Sequence, residues 1–327
     1  MRRTVVARSA AEMLRLRDRW EELDELNPCT TLFQSFAWNI AAARLFAERE
    51  HPEVIYCEND NGAALLPCAV AQRTGQLTLL GESLFDYRDV LVAGDEQALL
   101  DAWECAAEKG LDFSAGALRS DANFGFWRGF ETSPFYGAPR VSPAQISNDQ
   151  FASEHSRLGR WFRKLEKMGA TFRVHPGTNS QLVREIYQHK AEQPPGSGDN
   201  LFSDPLRQQF MVEVCAEPAS RCEIFTMESA GTLVSALVTF VDRNVRRFYT
   251  IYFDMSWAKY SPGMCLVFEV TRRSLAEGLE CDYMTGEHGY KTRLATSVVP
   301  MYWVQASASR VALLGQPATA TEVPSAA

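Results

Sequence analysis

The chain has no run of about eighteen apolar residues, no C-x-x-C pair and no surplus of positive charge, and each absence removes a class of function. Without the long apolar run no transmembrane segment is expected. The N-terminus, MRR followed by VVARSAAEMLRLRDRW, lacks the apolar core of a secretory leader. The eight cysteines (29, 57, 68, 105, 215, 222, 265 and 281) include no Cys/His cluster at zinc spacing. No metal site is therefore expected, and the cysteines read as reduced core residues of an intracellular protein. The formal charge of −8 argues against a protein that coats nucleic acid, which must neutralise many phosphates. The expected location is the cytoplasm, with peripheral contact at the inner membrane face left open.

What the chain does have is length and repetition. Its 327 residues suit two domains of about 150 residues each. Sliding the sequence against itself pairs the turn ending at Gly62 with the turn ending at Gly231, an offset of 169. The same offset pairs SAAEML from Ser9 with TNSQLV from Thr178, Leu32-Phe33 with Leu201-Phe202, Ile55-Tyr56 with Ile224-Phe225, and Gly94 with Gly263. Five matches in register indicate an old duplication. The expected boundaries are residues 1–148, 149–306 and a disordered Ala/Ser/Thr/Pro tail, 307–327.

Periodicity fills in the elements. Met13, Leu16, Trp20 and Leu23 mark a helix over 9–26 opened by Ser9, and a second helix covers 34–48. The short β-type runs VIYC, AALLPCAV and QLTLLG follow, then a helix over 96–109 closed by Gly110. The second copy repeats the order: helices 179–192 and 204–216, the strands CEIFTM, TLVSALVTFV and VRRFYTIYF, helix 263–277 and strand ECDYMTG. Helices followed by an antiparallel meander predict an α/β layer fold with largely antiparallel sheets. Between the copies, Leu158, Trp161, Phe162, Leu165 and Met168 form one helical stripe, with Arg157, Arg160, Lys164 and Lys167 on another. Four like charges on one helix repel unless something screens them, so this face reads as a contact for an anionic partner or as a solvated face.

The two copies differ at one helix start. After Gly94 come Asp95 and Glu96, whereas after Ser261-Pro262-Gly263 come Met264 and Cys265. A helix N-terminus attracts phosphate unless carboxylates already occupy it. The second copy is expected to be open and the first self-blocked.

The stretch YFDMSWAKYSPGMCLVFEVTRRSLAEGLECDYMTGEHGYK carries Asp254, Ser261-Pro262-Gly263, Leu266, Asp282-Tyr283, Gly286-Glu287 and Tyr290-Lys291. Together with Asp86-Tyr87-Arg88-Asp89, the helix before the second copy, and Lys190 with Gln193, it resembles the GNAT-type acyltransferases of the CelD cellulose-biosynthesis type. These are similar in fold to the Fem-type aminoacyl transferases. The resemblance covers most of residues 30–300 and implies tandem GNAT-like domains. It further implies an acyl-CoA donor on the second domain at Ser261, Pro262, Gly263, Met264 and Cys265, and an acceptor in the groove between domains. The usual GNAT pyrophosphate loop, Q/R-x-x-G-x-G/A, is absent, and S-P-G stands in its place.

Acyl transfer needs an amine or hydroxyl to lose a proton, a carbonyl oxygen to gain charge and a thiolate to leave. Lys291 could stabilise that oxygen or steady a donor phosphate, and Tyr290 could line the pocket or protonate the thiolate. Asp86 could orient an acceptor amine or act as base, against the plainer reading of a turn carboxylate. His288, in a Gly-flanked loop, is a further candidate base, while His189 reads as a helix-surface residue. Tyr87, Asp89, Lys190, Gln193, Asp254 and Glu287 complete the substrate-binding set that the resemblance implies. The expected activity is transfer of acetyl or a longer acyl group to an amine or hydroxyl of an envelope-related acceptor: an amino sugar, polysaccharide unit, peptidoglycan precursor or amino lipid. Two competitors stand beside it: a binding protein that keeps the fold without catalysis, and an aminoacyl-tRNA-dependent transferase.

Overall fold

The computed structural model describes residues 2–123, 130–193, 200–286 and 289–315. The chain divides into two compact units, one of residues 1–135 with 301–327 and one of residues 136–300.

The first unit opens with β1 (Arg3–Ala7), α1 (Ala10–Met13) and α2 (Arg17–Leu26), with a short 3-10 turn between the helices. Ser9 starts the first helix by accepting the Glu12 N–H. A 3-10 turn over Leu32–Gln34, closed by a Thr31/Gln34 capping box, leads into α3 (Phe36–Leu45). Then come β2 (Glu50–Glu58), β3 (Gly62–Ala71), β4 (Leu77–Leu79), β5 (Leu91–Gly94), α4 (Gln97–Ala107), β6 (Phe113–Arg119) and β7 (Glu131–Pro134). Trp20, Met13 and Leu16 are buried against one face of β2 and β3, while Trp103, Leu99 and Phe113 fill the other. Each fully buried side chain of this kind contributes roughly 1.5–3 kcal/mol relative to exposure.

The chain then enters the second unit through β8 (Ala138–Val141), followed by α5 (Asn148–Glu154), α6 (Ser156–Lys167), β9 (Thr171–Pro176), α7 (Ser180–Glu192) and α8 (Pro205–Ala216). Next come β10 (Cys222–Ser229), β11 (Thr232–Asp242), β12 (Val245–Phe253), α9 (Pro262–Ala276), β13 (Glu280–Asp282), α10 (Gly289–Leu294) and β14 (Ser297–Val299). The chain closes in the first unit with β15 (Met301–Ala306) and α11 (Ala308–Leu314). The sheet orders are β1-β2-β3-β4-β6-β15-β7, with β5 on β3, and β14-β8-β13-β12-β11-β10-β9. Neighbours pair antiparallel except β4 with β6 and β12 with β13. The mixed, largely antiparallel α/β architecture is thus present twice.

Topology moves the boundaries. In each sheet the strand between the last two positions is the one that arrives from the other unit's stretch of chain: β15 between β6 and β7, β8 between β13 and β14. The units therefore divide at 135/136 and 300/301 rather than after 148 and 306. The tail also begins later than composition suggests. Val311 and Leu314, one helical turn apart, are buried in the first unit's core, so 308–314 is helix; residues 316–327 lie outside the described region.

The 169-residue offset maps the 3-10 turn Leu32–Gln34 onto Leu201–Ser203, and the starts of α3 and α8 coincide at the same spacing. One sequence match does not carry over. Gly94 ends strand β5 at φ +81°, whereas Gly263 lies in the first turn of a helix. α4 has 11 residues and α9 has 15; their ends keep the offset, so α9 begins about one turn earlier, where the first unit has β5.

Candidate active site

β12 pairs with β13 only through Val245, Arg246 and Arg247, then runs on to Phe253 without that neighbour. Asp282 is fully buried at the end of β13. It accepts from Arg247 Nη1 at 2.7 Å, lies 3.4 Å from Arg140 Nε on β8, and takes the Met284 N–H at 2.8 Å. Among the freed groups, the Phe253 carbonyl accepts from Gln193 Nε2 at 3.0 Å.

Beyond β12 a 3-10 turn, Met255–Tyr260, brings the chain to Ser261 at φ 51°, ψ 51°. A non-glycine residue there costs on the order of 1–2 kcal/mol, strain that tends to be kept at functional loops. No side chain caps α9. Pro262 has no N–H, and those of Gly263 and Met264 have no acceptor among the described residues. The first unit contrasts directly: Asp95 Oδ1 accepts the Gln97 N–H at 3.0 Å at the start of α4. Gly263 has a packing reason as well, since a Cβ there would lie 3.0 Å from Ile251 Cδ1 and 3.3 Å from Phe253 Cδ1.

Ser261 and Met264 open onto a cavity of about 420 Å³ whose other walls are the α5–α6 junction and α10. Its cations are Arg157, Lys259 and Arg293, with one carboxylate, Glu154; Leu158, Trp161 and Leu294 supply apolar wall. Tyr290 faces the same space, and desolvation pushes its phenol up to about 12, so it stays protonated at neutral pH. His155 lines it too, with its pKa lowered by burial, against a smaller raising effect of Glu154. Sequence reasoning missed His155; its place just before the basic helix was the available signal.

Lys291 is turned elsewhere. Its ammonium is buried and donates to the Thr285 carbonyl at 2.5 Å and the Met284 carbonyl at 3.5 Å, clamping the loop after β13. Cys265 is buried, its thiol pushed up to about 12 by desolvation, which removes any thiolate nucleophile.

The other candidates scatter. Tyr87 is buried against Phe33 and beneath Arg119, and Asp89 is buried while accepting the N–H groups of Val90 (2.8 Å) and Asn123 (2.9 Å). Both shape the first unit rather than offering a free surface. Asp86 is half-buried in the loop before them. In the second unit Asp254 caps the 3-10 turn through the Ser256 N–H at 2.8 Å. Lys190, near the end of α7, has its pKa lowered by burial alone, and His189 beside it stacks on Tyr252 at 5.1 Å. Gln193 and Asp254 thus share the end of β12, while Asp86, Tyr87 and Asp89 belong to the other unit. Glu287 and His288 lie outside the described residues. Among the described residues there is no cluster of three or more metal-ligating side chains, and no helix is long and apolar enough to cross a membrane.

Residues 152–292, from within α5 through most of α10, match the family model described as Acetyltransferase (GNAT) domain. No curated protein matches the sequence. Solved structures give the fold over nearly the whole chain. A C-terminal domain (DUF2156) assigned to a lysylphosphatidylglycerol synthetase of Agrobacterium fabrum is 12% identical with a TM-score of 0.58, covering 93% of this chain and 94% of its own. FemX is 9% identical with a TM-score of 0.58, covering 88% and 95%. A tandem GNAT protein from the clavulanic acid biosynthesis pathway is 10% identical with a TM-score of 0.53, covering 94% and 99%. The architecture is that of tandem GNAT proteins, and the second unit holds the stretch that matches the GNAT domain model.

Proposed function

We propose that the protein transfers an acyl group from acyl-CoA to an amine or hydroxyl of an envelope-related acceptor, with the donor held in the cavity at the start of α9. The observation that carries this reading is the uncapped α9 N-terminus facing a cavity with three cations, within the stretch that matches the GNAT domain. Free N–H groups, a helix dipole and Arg157, Lys259 and Arg293 suit the phosphates of a CoA carrier, and the apolar wall suits its pantetheine arm. The residues therefore fit the donor.

In this reading the acceptor nitrogen or oxygen attacks the thioester carbonyl carbon, the new C–N or C–O bond forms, and the C–S bond breaks. The departing thiolate takes a proton from Tyr290, whose raised pKa keeps the phenol loaded. His155, its pKa lowered by burial, accepts the proton that the acceptor loses, and that proton returns through solvent to the Tyr290 phenolate, which restores both groups. Lys291 acts as a positioning residue through the 284–285 carbonyls rather than at the reacting carbon. Gln193 and Asp254 at the end of β12 are the proposed acceptor side within the second unit, and the CelD-type relation favours a polysaccharide or amino-lipid acceptor. Similarity to the lysylphosphatidylglycerol synthetase and FemX folds supports an envelope acceptor in general terms.

Thermal shift with CoA, acetyl-CoA and longer acyl-CoAs tests the reading. A ligand at a hundred times its Kd stabilises by about 2.7 kcal/mol. A flat response across the series would remove the donor assignment; dependence on chain length would give the acyl group.

A further inference from the structure

Five cations lie along α6: Arg157, Arg160, Arg163, Lys164 and Lys167. All are exposed, and none is ion-paired among the described residues. The other arginines packed on this unit's sheet and on α9 behave differently: Arg247 pairs with Asp242 and Asp282, Arg246 with Glu223 and Glu277, and Arg272 and Arg273 with Glu269. In a chain with 41 carboxylates and a charge of −8, five neighbouring cations that form no ion pair among the described residues, with Glu166 the one carboxylate on their helix, mark a face for an external anion.

The residues set among those cations narrow the class of anion. Trp161 projects between Arg157 (6.0 Å) and Lys164 (5.8 Å). Tyr260 lies 6.0 Å from Trp161 and carries Lys164 and Lys259 over its ring at 5.2 and 4.8 Å. Trp257 continues the row 6.2 Å from Tyr260. Two methionines of these segments are exposed, Met168 just after α6 at 41% and Met255 at the start of the turn at 61%. Phosphate recognition alone gives exposed methionines nothing to contact. A bilayer does: cations meet anionic headgroups, tryptophan and tyrosine sit at headgroup depth, and apolar side chains enter the acyl boundary.

We propose that α6 and the Met255–Tyr260 turn form a docking face for an anionic lipid bilayer. The face shares Arg157, Trp161 and Lys259 with the cavity, so docking would bring the transfer site to the membrane surface. The docking itself is independent of the transferase reading; only its use in delivering an acceptor rests on that reading.

Co-sedimentation of the full chain with vesicles of phosphatidylcholine alone, and of phosphatidylcholine with phosphatidylglycerol, tests it. Binding is expected on the anionic vesicles only and should weaken as salt rises. Arg160→Glu with Lys167→Glu, neither of which lines the cavity, should weaken it by at least about 25-fold, at roughly fivefold per cation. Arg160→Lys with Lys167→Arg should retain binding, which separates loss of charge from loss of fold. Met255→Ser should weaken binding to the same vesicles with all cations in place. The double reversal should leave the CoA thermal shift unchanged, so failure of docking and failure of the donor assignment are told apart. Equal binding to neutral and anionic vesicles, no binding to either, or wild-type binding by the double reversal would overturn the proposal. So would binding of transfer RNA through these cations without vesicle binding.

Discussion

The helix after the central strands starts in two ways in this molecule. In the first unit β5 pairs with β3, and Asp95 folds its carboxylate over the Gln97 N–H at the start of α4. The nearby groove, at Gly62 and Gly94, carries Asp18, Glu22 and Glu58, with Arg19 already paired to Glu58. In the second unit the same stretch forms no strand; α9 begins a turn earlier, uncapped, beside Arg157, Lys259 and Arg293. One topology, two electrostatic ends: the duplicated fold supplies the scaffold, and replacing one short strand by one helical turn makes it attractive to phosphate. The donor assignment proposed above rests on the terminus of a helix rather than on the sheet both units share.

The largest expected break in that comparison is chemical. Tyr290→Phe should lower kcat about 100-fold, the low end for loss of a general acid, and leave the CoA thermal shift as it was. The first unit cannot compensate if the reacting carbonyl lies in the second. The pH profile sharpens the test. A phenol raised to about 12 is protonated across the neutral range, so the wild-type enzyme should show no alkaline decline due to Tyr290 below pH of about 10. His155 works in the opposite sense: its lowered pKa keeps the ring neutral, and activity should fall only as pH drops below the ordinary histidine value of 6.5. An unchanged rate in Tyr290→Phe would take the acid role from this residue.

Smaller, and aimed at the electrostatic difference itself, is Ser261→Asp, which gives the second unit the self-blocking carboxylate of the first. Donor affinity should fall about tenfold, because the carboxylate competes with phosphate for the Gly263 and Met264 N–H groups. The apoprotein should gain on the order of 0.5 kcal/mol from the new cap. Isothermal titration with CoA and urea unfolding measure the two effects. Loss of donor affinity without the gain in stability would point to steric exclusion instead.

These contrasts explain which parts of the molecule could be read from sequence. Helices and strands were legible because apolar spacing at α2, β11 and α9 is a local property, and the asymmetry at Asp95 and Gly263 was legible because charge at a helix start is local too. The exchange of β8 and β15 between the two stretches of chain was not, because strand partners are chosen by long-range pairing that no local pattern records. The site residues divide in the same way. Tyr290 lines the cavity. Lys291, one residue on, is turned by helical geometry toward the 284–285 carbonyls, and a dipeptide cannot reveal that both neighbours do not share one space. His155 reaches the cavity only because β8 inserts beside β13 and seats α5 against α9, an arrangement invisible before the topology is known.

The smallest expected effect is the mirror experiment in the first unit. Asp95→Ala removes the carboxylate that caps Gln97 and leaves that N–H to solvent, which should cost about 1 kcal/mol of unfolding free energy. It should not create a second donor site. Freeing the helix end restores the dipole, but the neighbouring groove keeps Asp18, Glu22 and Glu58, whose charge opposes any phosphate, and β5 still occupies the space of the extra α9 turn. Urea unfolding should therefore show the loss while CoA titration shows one site with unchanged affinity. A second CoA bound in Asp95→Ala would mean that a single carboxylate separates the two units, and that the strand and the acidic groove contribute nothing to the distinction.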